Sequence, residues 1–303
     1  MPTITELSKL FKALAHKDLA TAEEIAGRIA CDEEKKGHRT AAQILKGSLV
    51  ANGTKSVIED RMASGANALP ALLLNALSTR TSSVTFLGVQ LRKPARDRLQ
   101  ELVKEFAHQN HLRSLGIHRR SKIILHGPPG CGKSLTAQAL ANELKLPLFV
   151  VRFDSIIGAY LGQTATHLRQ LFQFAETNEC VLLFDEIDAL GKRRGSPTDV
   201  GELDRIVIAL MQELELSELR GFVIATSNIP GSLDPALWRR FDLALHFPAP
   251  TNKEILRFAR SKAESLHLPL SRTILNRLSF LKNYAEVEKF IEDEARRMAL
   301  LHL

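Results

Sequence analysis

Cysteine is scarce in this sequence: Cys31, Cys131 and Cys180 are its three cysteines, and no two of them form a CxxC pair. So few scattered thiols exclude the disulfide framework of a small secreted domain, and they fit a reducing compartment. Long hydrophobic runs are also missing, because the longest, near Leu69–Leu77, is far too short to cross a bilayer. The N-terminal residues show no apolar core of the kind found in secretory signals. We therefore expect a cytoplasmic protein without a membrane partner.

Acidic residues are few between Gly88 and His126, where three acids stand against nine lysines and arginines. Such an excess of positive charge can form a surface for nucleic acid or for an acidic partner. Aromatic side chains, which stack on bases, are sparse in the same segment. We therefore favour the alternative, in which these cations form the solvated face of a helix beside a phosphate site, and nucleic acid is the less favoured partner.

Changes of pattern along the chain divide it into four segments. Residues 1–50 have the apolar spacing and capping patterns of helices, and they form either a partner or substrate contact or a helix pair packed on the main domain. Residues 51–83 are small, polar and weakly periodic, which predicts a linker. Residues 84–248 alternate between strand-like and helical patterns. Residues 249–303 follow a proline pair and are wholly helical, which predicts a small lid.

Short apolar runs of strand length alternate with helical stretches throughout residues 84–248. This alternation is typical of a parallel sheet wrapped by helices. The run at 180–185 is continuously apolar, as expected of a strand that is buried on both faces. The predicted strands are 122–126, 146–154, 180–185, 221–227 and 243–247.

A glycine-rich loop lies between the first of these strands and a helix, and its sequence GPPGCGKS matches the pattern G-x-x-x-x-G-K-[ST]. Glycines allow backbone N–H groups to turn inward around phosphate oxygens, and the positive end of the following helix points at the same oxygens. The loop predicts a site for ATP and Mg²⁺, in which Lys133 reaches the β- and γ-phosphates and the Ser134 hydroxyl ligates the metal. The predicted nucleotide contacts are Gly127, Pro128, Pro129, Gly130, Cys131, Gly132, Lys133, Ser134 and Leu135.

Two carboxylates, Asp185 and Glu186, end the strand at 180–185. Open α/β sheets bind their ligands at the carboxyl ends of the strands, so these acids are predicted to lie near the glycine-rich loop. Asp185 is placed to hold Mg²⁺, directly or through water, and Glu186 to orient and deprotonate an attacking water. The alternative is a pair of exposed acids at the end of a strand.

Polar residues also follow the next predicted strand. Asn228 comes directly after 221–227, where a neutral amide can hydrogen-bond the γ-phosphate or the lytic water, or can simply form a turn. Arg239 and Arg240 come next, and two adjacent arginines do not lie unpaired in a core. They form surface salt bridges, or one of them stabilises the phosphoryl group that is transferred in a neighbouring subunit.

Taken in this order, the four elements resemble the motifs of the AAA+ ATPases, and within them of the AAA branch. The segment GPPGCGKS looks like the Walker A motif, VLLFDEID like Walker B, ATSN like the first sensor and LDPALWRRFD like the second region of homology. The resemblance covers residues 84–303. It implies an α/β fold with a parallel P-loop sheet flanked by helices, a C-terminal helical lid and an N-terminal helical segment.

The resemblance also implies a ring, with six subunits, in which ATP binds at each subunit interface. One arginine of each subunit then acts as an arginine finger in the site of its neighbour. The family generally places two residues between its two arginines, whereas Arg239 and Arg240 are adjacent. Which of the two acts in trans therefore stays open.

Further roles come from the resemblance alone. Tyr160, Leu161 and Gly162 are similar to the first pore loop, which grips a polypeptide in the central channel of the ring. Gly88 belongs to a segment similar to the one that cradles adenine. The lid helix begins with Tyr284 and Ala285, where the family usually has Gly-Ala.

The leading interpretation is an ATPase that remodels or threads a protein substrate. A second interpretation is a nucleotide-dependent regulator of a partner enzyme, such as a subtilisin-like serine protease, because the chain resembles small stand-alone bacterial AAA ATPases. A third, a DNA remodeller, rests on the basic segment. Cys131 suggests redox control, since a thiol at a helix N-terminus can have a lowered pKa, although this loop position tolerates many small residues.

Overall fold

A computed structural model describes residues 77–80, 84–151, 163–188, 197–229, 231 and 233–301. The chain divides into two compact units, Met1–Ala68 and Leu69–Leu303, and the described residues belong to the second. The predicted N-terminal helical segment therefore lies outside the described residues.

The described part of the chain alternates between strands and helices and then ends in three helices. The strands are β1 (Leu77–Arg80), β2 (Lys122–His126), β3 (Leu148–Val151), β4 (Val181–Phe184), β5 (Phe222–Ser227) and β6 (Leu243–His246). The helices are α1 (Lys93–Ala107), α2 (Gln109–Ser114), α3 (Lys133–Glu143), α4 (Gln163–Thr177), α5 (Pro197–Leu216), α6 (Pro235–Trp238), α7 (Asn252–Ser265), α8 (Arg272–Leu278) and α9 (Tyr284–Leu301).

The strands form one sheet in the order β1-β3-β4-β5-β2-β6. The last five strands of this order are mutually parallel, which confirms the predicted α/β fold. The strand β1 pairs antiparallel with β3 at the edge of the sheet, with Leu77 opposite Val151. It lies inside the segment 51–83 that we predict as a linker. Four residues without clear alternation do not reveal a strand that pairs with residues about seventy positions later.

Three neighbouring strands of the sheet are fully buried. All residues of β3, β4 and β5 are buried, because helices cover both faces of the sheet and the strands are continuously apolar. One face packs against α1 and α3 through a core that includes Leu99, Leu102, Ala137 and Leu140. These layers leave the carboxyl ends of the parallel strands free to carry polar groups.

Strand order decides which polar groups meet. The strands β4, β5 and β2 are neighbours in the sheet, although other elements separate them along the chain. Asp185 and Glu186 follow β4, Asn228 follows β5, and the glycine-rich loop follows β2. The three predicted motifs therefore come together at one edge of the sheet.

The three C-terminal helices form a small lid with its own core, made of Ile255, Ala259, Ala263, Leu268, Ile274, Leu278, Val287 and Ile291. Thr251 and Glu254 form a capping box at the start of α7. Arg92, which precedes α1, donates from Nε and Nη2 to the two Glu254 carboxylate oxygens, each at 2.9 Å. Its Nη2 also donates to the Ala249 carbonyl at 3.3 Å. Arg92 therefore ties the lid to the sheet domain beside the proline linker.

Replacement of Glu254 by Gln tests the strength of this tie. The hydrogen bonds from Arg92 are the main cause that lowers the pKa of Glu254 to about 2, from an ordinary value of 4.5. A carboxyl group whose pKa is lower in the folded state stabilises the fold fully above its unfolded pKa and loses that contribution as the pH falls toward its folded pKa. We expect wild type to exceed Glu254→Gln in free energy of unfolding at about pH 6, with a difference that shrinks from about pH 4.5 downward.

Urea denaturation of both proteins across this pH range measures the difference. Glu264→Gln is a matched control, because Glu264 is exposed on the same helix. A wild-type advantage over Glu254→Gln that does not change with pH would contradict the electrostatic role of the pair.

Candidate active site

The glycine-rich loop is shaped by two close approaches that only glycine permits. Gly127 has φ 144°, and a Cβ atom there would lie 2.0 Å from the Phe247 carbonyl oxygen. Gly130 has φ 71°, and a Cβ atom there would lie 2.5 Å from Oδ1 of Asn283 in the lid. The backbone N–H of Ala285 donates to the Gly130 carbonyl at 3.2 Å. The loop is therefore held between the sheet and the first turn of the last lid helix.

Lys133 is the first residue of α3, and its side chain is buried inside the loop. Its ammonium group donates to the Gly127 and Pro128 carbonyls, each at 2.8 Å, and to Oδ1 of Asn228 at 2.7 Å. Burial lowers the pKa of Lys133, while nearby acids act in the opposite direction. The site therefore holds a desolvated positive charge at its centre, where a phosphate oxygen is a strong acceptor.

Asp185 receives two hydroxyl groups on the same carboxylate oxygen. Ser134 Oγ donates to Asp185 Oδ1 at 2.7 Å, and Thr226 Oγ1 donates to it at 2.6 Å. Hydroxyl and carboxylate oxygens are the hard ligands that Mg²⁺ prefers beside substrate phosphates. The adjacent Ser134 and Asp185 side chains thus fit the metal that the sequence predicts for them.

Glu186 has a backbone conformation that non-glycine residues rarely adopt, with φ 55°. Its N–H donates to Thr226 Oγ1 at 2.8 Å, which helps to hold this conformation. Its Oε1 accepts a hydrogen bond from Nδ2 of Asn228 at 3.0 Å. Backbone strain of this kind is typical of functional sites, because the surrounding structure must keep the side chain in one place.

Asn228 links Lys133 to Glu186 by hydrogen bonds. Its amide oxygen accepts from Lys133 and its amide nitrogen donates to Glu186. Its own backbone N–H donates to Oδ1 of the buried Asp188 at 3.1 Å. An aspartate at this position would keep the acceptor for Lys133 but would repel Glu186. The geometry thus gives a physical reason for a neutral amide.

A cavity of about 340 Å³ opens over these groups. Among the described residues that line it, Lys133 is the one lysine or arginine, against Asp185, Glu186 and Glu288. The full lining is Gly88, Val89, Gln90, Pro129, Gly130, Cys131, Gly132, Lys133, Ser134, Leu135, Asp185, Glu186, Thr226, Asn228, Phe258, Tyr284, Ala285 and Glu288. Most of the predicted nucleotide contacts therefore share one cavity, and Gly127 and Pro128 contribute the carbonyls that hold Lys133.

Thr226 is a site residue that the sequence did not reveal. The sheet register pairs Phe184 with Ala225, so the next residues, Asp185 and Thr226, lie side by side. The sequence does show a hydroxyl residue near the end of β5. Its contact with Asp185 can be predicted only when the neighbouring strands and their register are known. Tyr284 and Phe258 were missed for a similar reason, because they reach the cavity from the lid.

The structure separates the two adjacent arginines. Arg240 forms a salt bridge with Glu215 at the end of α5, with Nη2 2.8 Å from Oε2. Arg239 is exposed, and its side chain makes no hydrogen bond or ion pair with the described residues. Neither arginine lines the cavity of its own chain.

Three further hypotheses from the sequence concern the predicted pore loop, Cys131 and the basic segment. Tyr160, Leu161 and Gly162 lie outside the described residues. Burial raises the pKa of the Cys131 thiol, which disfavours the reactive thiolate that redox control needs. Of the nine cations in the basic segment, five are engaged within the chain, which supports a structural role for much of that charge: Arg92, Arg96, Arg98, Arg119 and Arg120.

Arg119 shows how such a cation is used. Its guanidinium lies 5.2 Å from the ring centre of Phe106 and 4.9 Å from that of Phe222. It donates from Nη2 to the carbonyls of residues 219–221, at 2.9, 2.7 and 2.8 Å. The side chain thus fixes the entry to β5 at the edge of the sheet opposite the cavity.

The parallel sheet, the glycine-rich phosphate-binding loop and the adjacent acids Asp185 and Glu186 define a P-loop nucleotide hydrolase. A sequence model of the ATPase family associated with various cellular activities (AAA) matches residues 123–249. An uncharacterized AAA family ATPase of Sinorhizobium fredii, y4kL, is 34% identical over 290 residues, which cover 91% of this chain and 84% of the relative. The chain belongs to the AAA ATPase family, and its activity is ATP hydrolysis.

Two other relatives match part of their length. The ATP-dependent zinc metalloprotease FtsH 2 of Symbiobacterium thermophilum is 35% identical over 206 residues, 64% of this chain and 35% of that protein. A putative 26S proteasome regulatory subunit homolog of Methanocaldococcus jannaschii is 33% identical over 184 residues, 59% of this chain and 50% of that protein. The chain thus spans half or less of these two relatives.

A helix that crosses a lipid bilayer must be both long and apolar. Among the described residues, no helix is both long enough and apolar enough to cross one.

Proposed function

We propose that this chain assembles into a hexameric ring, with ATP and Mg²⁺ at each subunit interface, and uses hydrolysis to remodel or thread a protein substrate. The observation that carries the proposal is the charge of the cavity. A triphosphate brings several negative charges, and the described cavity offers Lys133 against three carboxylates. The bound nucleotide therefore needs positive charge from outside the chain's own side chains.

Mg²⁺ supplies part of that charge and polarises the phosphates when it is bound. Ser134 and Asp185 hold it, and Thr226 orients the Asp185 carboxylate through its hydroxyl. Lys133 binds the β- and γ-phosphate oxygens and keeps its tie to Asn228. These residues bind and orient the triphosphate before any bond is broken.

Glu186 acts as the base that orients the attacking water and accepts its proton. Its carboxylate is fixed by Nδ2 of Asn228 on one side and by the strained backbone on the other. A base held in one geometry loses little entropy on reaching the transition state. Asn228 also stabilises the position of the water beside the γ-phosphate.

Arg239 supplies the remaining charge to the neighbouring subunit. Arg240 is already paired with Glu215, so its transfer to another subunit would break a contact within the chain. Arg239 is exposed and has no side-chain partner among the described residues. An arginine offered in trans stabilises the charge of the transferring phosphoryl group.

Two further observations support the proposal that the substrate is a protein. One relative is named an ATP-dependent zinc metalloprotease, and another a homolog of a proteasome regulatory subunit. The sequence Tyr160-Leu161-Gly162 is an aromatic, hydrophobic and glycine trio of the kind that grips a polypeptide in the pore of AAA rings. We propose that this segment contacts the substrate.

Mixed rings test the shared site. Arg239→Ala should lower kcat on the order of 10³-fold, because the subunit binds ATP but offers no arginine to its neighbour. Lys133→Ala should be inactive in its own site but keeps Arg239. Mixing the two inactive variants should therefore restore ATPase activity at interfaces where a Lys133→Ala subunit supplies the arginine.

The matched control mixes Lys133→Ala with Glu186→Gln. Both substitutions damage the subunit's own site, so their mixture should stay inactive. Complementation by Arg240→Ala instead of Arg239→Ala would reverse the assignment of the arginine. Failure of every mixture to recover activity, with rings intact by light scattering, would contradict a site shared between subunits.

Tyr160→Ala distinguishes a threading motor from a nucleotide-dependent regulator of a partner enzyme. Unfolded casein is a suitable probe, because it offers many unstructured segments. A threading motor should hydrolyse ATP faster with casein, should lose this stimulation in Tyr160→Ala, and should keep it in Tyr160→Phe, where the aromatic ring remains. Equal stimulation of wild type and Tyr160→Ala would contradict the role of this loop.

A further inference from the structure

Three aromatic rings form a cluster beside the sheet edge that carries the active site, and the mechanism above does not use them. The His126 ring contacts the Trp238 ring edge-on, with centroids 5.0 Å apart and planes at 88°. It stacks on His246 with the same separation, at 28°. None of the three residues lines the nucleotide cavity. Their role must therefore be sought outside direct contact with ATP.

His126 is fixed to the phosphate-binding edge by its backbone. It is the last residue of β2 and comes directly before Gly127. Its carbonyl accepts from the Phe247 N–H at 2.7 Å, and the sheet register places it between Ser227 and His246. Gly127 in turn donates to the Ser227 carbonyl at 3.1 Å. The His126 ring is thus attached to the strand ends that carry the loop and Asn228.

Trp238 belongs to the element that presents the arginine. It is the last residue of α6, and Arg239 follows it at the C-cap. This helix has a single turn, so its own hydrogen bonds hold it weakly and its side chains must fix it. Asp234 caps the turn by accepting from the Ala236 N–H at 2.7 Å, and Leu237 is buried. A further anchor is the contact of Trp238 with His126.

The electrostatics of His126 suit a packing role. Burial is the main cause that lowers its pKa, and electrostatic interactions with His246 and Lys133 act in the same direction. The ring is therefore neutral near pH 7, and its Nδ1 atom is buried with no hydrogen-bond partner among the described residues. A neutral ring can pack edge-on against an indole without the cost of burying a charge.

We propose that His126 and Trp238 are positioning residues, whose ring contact sets where Arg239 lies relative to the sheet edge that binds ATP. One contact then links the nucleotide held by a subunit to the arginine which that subunit offers to its neighbour. The inference rests on the proposed role of Arg239 in trans. It adds a specific physical connection between the two sites.

Steady-state kinetics of single and double variants test the connection. His126→Ala and Trp238→Ala should each lower kcat on the order of 10²-fold, as expected for a displaced charged group, with KM for ATP changed less than about threefold. Trp238→Phe should recover most of the rate, because an aromatic ring remains. His246→Ala is the matched control, since it removes a ring from the same cluster but leaves the contact of His126 with Trp238, and its kcat should stay within about threefold of wild type.

The double variants decide whether the effect acts through the arginine. If the ring contact serves to place Arg239, then His126→Ala/Arg239→Ala should be no slower than Arg239→Ala alone, within about threefold. If Arg239→Ala is itself impaired and the two substitutions lower kcat multiplicatively, the positioning role is overturned. The proposed function then still stands. Full activity of Arg239→Ala would overturn the proposed role of Arg239 in trans, and this inference with it.

Fluorescence gives a measurement that a purely structural role of His126 would leave unchanged. Trp238 is the single tryptophan of the chain, so the emission reports on this contact alone. In the Glu186→Gln background, ATP with Mg²⁺ should change the intensity or maximum of that emission, and the change should disappear in Glu186→Gln/His126→Ala. An identical nucleotide response with and without the His126 ring would overturn the proposal. Circular dichroism melting curves confirm that each variant is folded, and Trp238→Ala replaces His126→Ala in the kinetic comparison if the latter is not.

Discussion

The Lys133 ammonium group is buried, and three oxygen atoms hold it there: the Gly127 and Pro128 carbonyls and the amide oxygen of Asn228. A buried charge is tolerated only when it is paired or hydrogen-bonded, so the position of this one group constrains its surroundings. The loop must curl until its carbonyls reach the ammonium, and β5 must deliver Asn228 beside it. Since the same amide donates to Glu186, the placement of this carboxylate, the proposed base, depends on the placement of the lysine.

The same constraint underlies our proposal that a neighbouring subunit completes the site. One ammonium cannot balance a triphosphate and three carboxylates, so we propose that Mg²⁺ and an arginine from another subunit complete the charge. Within the chain, Glu215 holds Arg240 and leaves Arg239 available. The contact of His126 with Trp238 then joins the strand that ends in the phosphate loop to the turn that carries Arg239. In this proposal, nucleotide binding, hydrolysis and communication between subunits depend on residues at the ends of neighbouring strands and on the turn that carries Arg239.

Much of this site could be predicted from the sequence, because its chemistry sits at the ends of recognisable strands. The loop at 127–134, Asp185, Glu186 and Asn228 each follow a strand, and the carboxyl ends of parallel strands share one edge. The strand β1 and the Thr226 hydroxyl could not be predicted, since their meaning depends on strand order and register. Our preference for Arg239 over Arg240 rests on the salt bridge of Arg240 to Glu215, a residue that lies far away in the sequence. Local pattern identifies the chemical groups, and long-range packing decides which of them meet.

The central claim is that Glu186, held by Asn228 in a site centred on Lys133, is the base for hydrolysis of bound ATP. Single-turnover hydrolysis by Glu186→Gln, measured together with its affinity for ATP, tests this most directly. We expect ATP affinity close to that of wild type and hydrolysis slower by about 10²- to 10⁴-fold, with Lys133→Ala as the variant that fails to bind. Hydrolysis by Glu186→Gln at the wild-type rate would contradict it.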